Sequence, residues 1–129
     1  MNDRQIAGNL DRIAEYVDRI ERYFAGIESP EGFLASVDGN KTLDAIGMML
    51  VSVGEAVKRI DKVTEGKFLE KFPEIDWRGV MRTRDILTHH YEKLDHEIVF
   101  HVRSHHIQPL RRAIERMRKE TSDTGESSA

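Results

Sequence analysis

The first 27 positions place apolar residues at Ile6, Leu10, Ile13, Val17, Ile20, Phe24 and Ile27, in alternating steps of four and three. Those steps return every side chain to one face of an α-helix and would scatter them over both faces of a strand. The segment is therefore read as an amphipathic helix with a heptad-like seam. Asp3, Arg4, Asp11, Arg12, Asp18, Arg19 and Glu21 occupy its other faces. A single apolar stripe is stable only when buried, so the rest of the chain must supply partners for it.

Those partners read as helices too. Leu43, Ile46, Leu50, Val53, Val57 and Ile60 repeat the pattern, with Asn40 or Thr42 as the expected cap. Met48, Met49 and Val51 widen its apolar surface, which suits a central helix. Gly47 and Gly54 each cost about 1 kcal/mol of helix propensity against alanine, and their expected use is close approach of a neighbouring helix. Between these two segments, Glu28-Ser29-Pro30-Glu31-Gly32 reads as a break, followed by a short helical turn around Phe33 and Leu34 that ends near Gly39. Pro73 and then Asp76, as cap, introduce a third helix from Trp77. Asp95 introduces a fourth with Ile98, Val99, Val102, His106, Ile107, Leu110, Ile114 and Met117, and Pro109 should kink or divide it. No segment reads as a strand. The expected fold is all-α: an antiparallel bundle of four main helices with one short extra turn. The domain is expected to span residues 1–120, with residues 121–129 as a polar disordered tail.

Composition narrows the chemistry. A chain of 129 residues can bury roughly two-thirds of its unfolded surface and needs no metal or disulfide staple. The absence of cysteine excludes disulfides and thiolate zinc sites. No apolar run approaches the roughly 18 residues of a membrane span, and the polar start MNDRQIAGNLDR does not read as a secretory signal, so the expectation is a cytoplasmic protein. Net charge is −3, but residues 77–119 carry +5 and the remainder −8. That asymmetry admits an anionic-ligand surface, a face for an acidic partner, or solvated helix faces.

Chemically, the densest stretch is Arg84-Asp85-Ile86-Leu87-Thr88-His89-His90-Tyr91. It joins a permanent cation suited to phosphate, an imidazole that titrates near neutrality, and a phenol. Arg84 and Tyr91 are seven apart and share a helix face. His89 lies about 140° from Arg84 on a straight helix, whereas Arg82 shares its face, so spacing alone leaves open which arginine partners the histidine. All six histidines fall between His89 and His106. His101 and His105 have the i, i+4 spacing of a metal pair, yet no H-E-x-x-H string or obvious carboxylate accompanies them.

With its flanks, this stretch resembles the HEPN superfamily, and within it the HepT-like toxins of bacterial and archaeal toxin–antitoxin modules. Arg84, Asp85, His89 and Tyr91 match the R-x-x-x-x-H-x-Y form. Ser52-Val53-Gly54-Glu55-Ala56-Val57-Lys58-Arg59 resembles the family's G-E-A string, and Phe72-Pro73-Glu74-Ile75-Asp76-Trp77-Arg78 resembles its P-x-x-x-W lead into the third helix. The seven-residue interval from Trp77 to Arg84 is typical of the family and favours Arg84 over Arg82. Asp85 stands where many HepT-like members carry asparagine, which adds negative charge near a phosphate.

The resemblance implies a homodimeric, metal-independent endoribonuclease with catalytic Arg84 and His89, supporting Asp85, and Arg82, His90 and Glu55 as accessory candidates. It implies no cofactor. It also implies a MntA-like nucleotidyltransferase antitoxin that transfers AMP from ATP to Tyr91, within a larger toxin–antitoxin hetero-oligomer. Two other readings remain: a non-catalytic helical dimer that binds a partner or nucleotide, and a metal enzyme built on His101, His105 and a carboxylate.

Overall fold

The structure is a computed structural model that describes residues 3–89 and 94–127. Helix α1 spans Asp3–Tyr23, α2 Val37–Val63, α3 Trp77–His89, α4 His96–His105 and α5 Ile107–Ser127, with 3-10 turns at Pro30–Phe33 and Leu69–Lys71. No strand occurs among the described residues, so the chain is all-helical as the periodicity predicts. No helix among them is long and apolar enough to cross a membrane.

The seam of α1 is buried as spaced: Ile6, Leu10, Ile13, Val17 and Ile20 lie in the core, joined by Phe24 just beyond the helix. The helix stops several residues before the Pro30 region, because the chain turns through Gly26 at φ +86°, a conformation glycine adopts without strain. Phe24 then packs edge-on against Phe33 at 5.7 Å between ring centroids, closing the base of the core.

Helix α2 begins at Val37, earlier than either Asn40 or Thr42 would place it. Ser36 is the cap: its Oγ accepts from the Gly39 amide at 2.9 Å. Asn40 instead donates from Nδ2 to the Ser36 carbonyl. Gly39 therefore lies inside the first turn of α2 and does not end the preceding one. The expectation of a central helix holds. Buried residues on α2 run from Gly39 to Ile60, and it packs against α1 on one side and α3 on another. Met49 is in the core, whereas Met48 is 63% exposed.

Asp76 caps α3 as expected, accepting from the Gly79 amide at 3.0 Å, and buried Trp77 anchors the same end by donating from Nε1 to the Phe72 carbonyl at 2.9 Å. Asp95 caps α4 through the Glu97 and Ile98 amides. The fourth predicted helix is divided, as Pro109 requires, and the break falls at His106. Proline has no N–H to offer the carbonyl of residue 105 and its ring would collide with that carbonyl, so Pro109 is accommodated only in a first turn. Helix α5 continues through residues 121–127, which composition assigns to a polar tail; Thr121 is buried, and its hydroxyl donates to the Met117 carbonyl.

Gly47 and Gly54 of α2 serve the approach predicted for them. A Cβ on Gly54 would lie 2.3 Å from Cβ and 2.8 Å from Cγ of Arg84, and one on Gly47 would lie 2.8 Å from a terminal methyl of Leu94. The Leu94 methyl can swing aside, while the stem of Arg84 is fixed to α3. Alanine gains about 1 kcal/mol of helix propensity at either position. Gly47→Ala is expected to leave stability nearly unchanged, and Gly54→Ala to lose about 1–3 kcal/mol through overpacking. Urea unfolding of both variants reads the difference; equal stabilities would contradict the close approach.

Candidate functional site at the contact of α2 with α3

Arg84 is where α2 and α3 come closest. With only hydrogen on Gly54, the arginine stem lies directly on the α2 backbone and its guanidinium runs along the helix surface. There it meets two carboxylates. Nη2 donates to Glu55 Oε1 at 3.3 Å and Nη1 to Asp85 Oδ1 at 3.0 Å. Nε is buried and has no partner among the described residues.

Asp85 Oδ1 accepts a second bond, from Lys58 Nζ on α2 at 2.9 Å. Two cations and two carboxylates thus alternate across the contact: Glu55, Arg84, Asp85, Lys58. With all four charged the cluster is neutral. The Lys58 ammonium and then the Arg84 guanidinium hold the Asp85 carboxyl below its usual range. The Arg84 guanidinium is raised above its ordinary value, first by its bond to Asp85, with burial opposing and Glu55 assisting.

His89 is the last residue of α3 and is exposed. Its Nδ1 lies 2.8 Å from the Asp85 carbonyl oxygen. A carbonyl only accepts, so Nδ1 must carry the proton. In the neutral ring Nε2 is then the basic nitrogen, directed away from the helix backbone. The same residue therefore sets both groups: the Asp85 side chain holds Arg84 and its backbone orients His89. No hydrogen bond joins Arg84 to His89 among the described residues.

The remaining candidates fall differently. Glu55, chosen from the G-E-A string, faces Arg84 directly. Arg82 is exposed and makes no ion pair among the described residues. His90 and Tyr91 lie outside the described residues. Lys58 was not among the expected site residues, although it sits three positions after Glu55 and so on the same helix face. Part of the basic charge of the C-terminal half is paired within the bundle: Arg111 with Asp18 and Glu21, Arg118 with Asp11, and Arg116 with Glu74.

The histidine-rich end of α4 forms its own cluster. The rings of His101 and His105 stack at 4.1 Å, with His106 edge-on at 5.4 Å to His101. Burial, then the neighbouring His101 and His105, push the His106 imidazole below its ordinary value. Among the described residues, no group of three His, Asp or Glu side chains is arranged to hold a metal ion. An apolar cavity of about 230 Å³ lies beside His106, lined by Leu50, Val53, Val80, Ile107 and Leu110 among others, and touches none of Arg84, Asp85 and His89.

Comparison with known proteins assigns the chain to a family. The family described as Ribonuclease HepT-like matches residues 13–117, a stretch that includes α2, α3 and the whole charged cluster. The chain belongs to the HepT-like family. Among its relatives is a protein of Methanocaldococcus jannaschii named as a putative RNase, 30% identical over 129 residues and 99% of each chain. A Thermococcus cleftensis protein named probable ribonuclease HepT is 34% identical over 110 residues, covering 85% of this chain and 93% of its own. A second M. jannaschii protein named as a putative RNase is 37% identical over 62 residues, about half (48%) of each chain. No solved structure matches.

Asp85 yields a pH prediction. Its carboxyl titrates lower in the folded protein than in the unfolded chain, so its contribution to stability is complete above the unfolded value of about 3.9 and is lost as pH falls through the lower folded value. Asp85→Asn should therefore flatten the acid limb of the stability curve below about pH 4 and leave the slope near neutrality unchanged. Thermal melts from pH 2 to 7 on both proteins provide the comparison, and identical acid limbs would count against the ion pairs.

Proposed function

We propose that this HepT-like protein is a metal-independent endoribonuclease and the toxin of a toxin–antitoxin pair. The observation that supports this most is the double use of Asp85: one residue holds the phosphate-binding arginine and fixes the tautomer of the histidine beside it. RNA brings its own nucleophile, the 2′-hydroxyl, so the protein needs only to bind the scissile phosphate and move protons. Arg84 would exchange its two carboxylate partners for the phosphate, which matches its planar donor fork, and would stabilise the charge that builds there. His89 would act through Nε2, as a base on the 2′-hydroxyl when neutral or as an acid on the departing 5′-oxygen when protonated. The products would be a 5′-hydroxyl and a 2′,3′-cyclic phosphate or its hydrolysis product.

One histidine cannot hold both protonation states at once. Two copies of the chain, with their Arg84 and His89 sets facing one cleft, would provide one histidine for each role, so the reading includes a homodimer. Its antitoxin would be a MntA-like nucleotidyltransferase, forming a larger hetero-oligomer with the dimer. The Tyr91 hydroxyl would attack the α-phosphorus of ATP and release pyrophosphate, leaving an AMP group whose negative charge competes for Arg84. The cytoplasm is the expected location.

His89→Ala is expected to lower RNA cleavage by about 10²–10⁴-fold with the helical circular dichroism unchanged, while excess EDTA leaves wild-type cleavage intact and a DNA oligonucleotide resists. A variant that cuts as fast as wild type would remove His89 from the chemistry, and absence of cleavage by the wild type would instead favour a non-catalytic helical module that binds its partners through the same surface. After co-expression with the neighbouring nucleotidyltransferase, mass spectrometry of the Tyr91 peptide should show one added AMP. Neutralisation of toxicity without that added mass would refute the modification.

A further inference from the structure

Asp85 poses an electrostatic problem for the ribonuclease reading, because a carboxylate bonded to the phosphate-binding arginine both repels a phosphate and competes with it. Arg84 already donates to two carboxylates, Glu55 and Asp85. Without another cation that trio would carry a net charge of −1 and would disfavour any anionic ligand. Lys58 changes the balance. Its ammonium lies 2.9 Å from the same Asp85 oxygen that Arg84 uses, which restores neutrality and satisfies the carboxylate from the α2 side.

We propose that Lys58 is the positioning residue of the site: it retains Asp85 when a phosphodiester takes the Arg84 guanidinium, so that Asp85 neither recaptures the arginine nor repels the RNA. Arg84 leaves Asp85 Oδ1 for a phosphate oxygen, and the bond from Lys58 keeps that oxygen partnered. The geometry fits this division. Arg84 is anchored by its stem over Gly54 and needs to move only its tip, whereas Lys58 approaches Asp85 from the neighbouring helix and remains in place. The Asp85 backbone is undisturbed throughout, so its carbonyl continues to accept from His89 Nδ1. Lys58 thus compensates for the acid that stands where an asparagine would need no counter-charge.

The inference rests on the ribonuclease reading for its substrate, and two sets of measurements keep the two apart. Binding is read by fluorescence anisotropy with a labelled 2′-O-methyl RNA oligonucleotide, which retains the phosphates and lacks the nucleophile. Cleavage of the unmodified RNA gives KM and kcat. Lys58→Gln is expected to raise Kd and KM about tenfold, the size of a coupling between groups in direct contact, with kcat within about twofold of wild type. The double variant Lys58→Gln/Asp85→Asn should regain most of that loss, and Lys58→Arg, which keeps the ion pair, should bind as wild type does. Lys58 is half-exposed and its ion pair contributes little to stability, so the variants should stay folded by circular dichroism. An unchanged Kd in Lys58→Gln overturns the proposal. So does a double variant as weak as the single one, since Lys58 would then act on the RNA directly. Absence of cleavage by the wild type overturns the ribonuclease reading alone, full cleavage by His89→Ala overturns the role of His89 alone, and either leaves the binding cycle to decide on Lys58.

Discussion

The site depends on one steric fact: residue 54 has no side chain. Because only hydrogen separates the α2 backbone from the stem of Arg84, α3 lies close enough for Glu55 and Lys58 of α2 to reach across to Arg84 and Asp85. A methyl group there would push the helices apart or turn the arginine away, and the four-charge cluster would lose its geometry. Packing and electrostatics are therefore one constraint here. The helix-propensity penalty of a mid-helix glycine is offset by the contact that it allows.

That constraint also explains why the charges sit where they do. Arg111, Arg116 and Arg118 of α5 are paired with acids of α1 and with Glu74, so part of the basic charge of the C-terminal half is engaged between helices at the surface of the bundle. Exposed pairs of that kind contribute little each, about 0–1 kcal/mol, but they fix which helix faces meet. The cluster at α2 and α3 is different because Arg84 is mostly covered and has a buried Nε with no partner among the described residues. Its charges are balanced to neutrality by a carboxylate on each side and a lysine beyond. A ligand that supplies phosphate oxygens would substitute for bonds the arginine already makes, so it meets a group whose orientation is set in advance.

The helices were legible because burial imposes a period that residues such as Ile6, Leu10 and Ile13 repeat without interruption, and because Asp76 and Asp95 have short acceptors placed to cap a helix. The start of α2 was not legible in the same way. Asn40 and Thr42 are plausible caps by residue type, but Ser36 takes the role because Gly39, three residues on, presents its amide to the serine hydroxyl and lies against the carbonyls of Gly32 and Phe33, where no side chain fits. That contact is made by tertiary packing and leaves no local signature. At the site, Arg84, Asp85, His89 and Glu55 were identifiable from motif strings, whereas Lys58 was not. Its role arises only when α3 lies on α2, since nothing in the local sequence says that residue 58 will face residue 85.

The helical offset between Arg84 and His89 looks at first like an obstacle to joint action, since five positions place them on different sides of a straight helix. The bond from Nδ1 of His89 to the Asp85 carbonyl changes the question. With that nitrogen committed to the backbone, Nε2 is the ring nitrogen left for proton transfer. In the proposed homodimer, a second copy of the chain would bring its own arginine toward that nitrogen. The apolar cavity beside His106 is consistent with this, because it touches none of the three site residues. In the proposed homodimer the surface around His89 would form part of a cleft, and the hydrogen bond that His89 Nδ1 donates to the Asp85 carbonyl would leave Nε2 for the chemistry there.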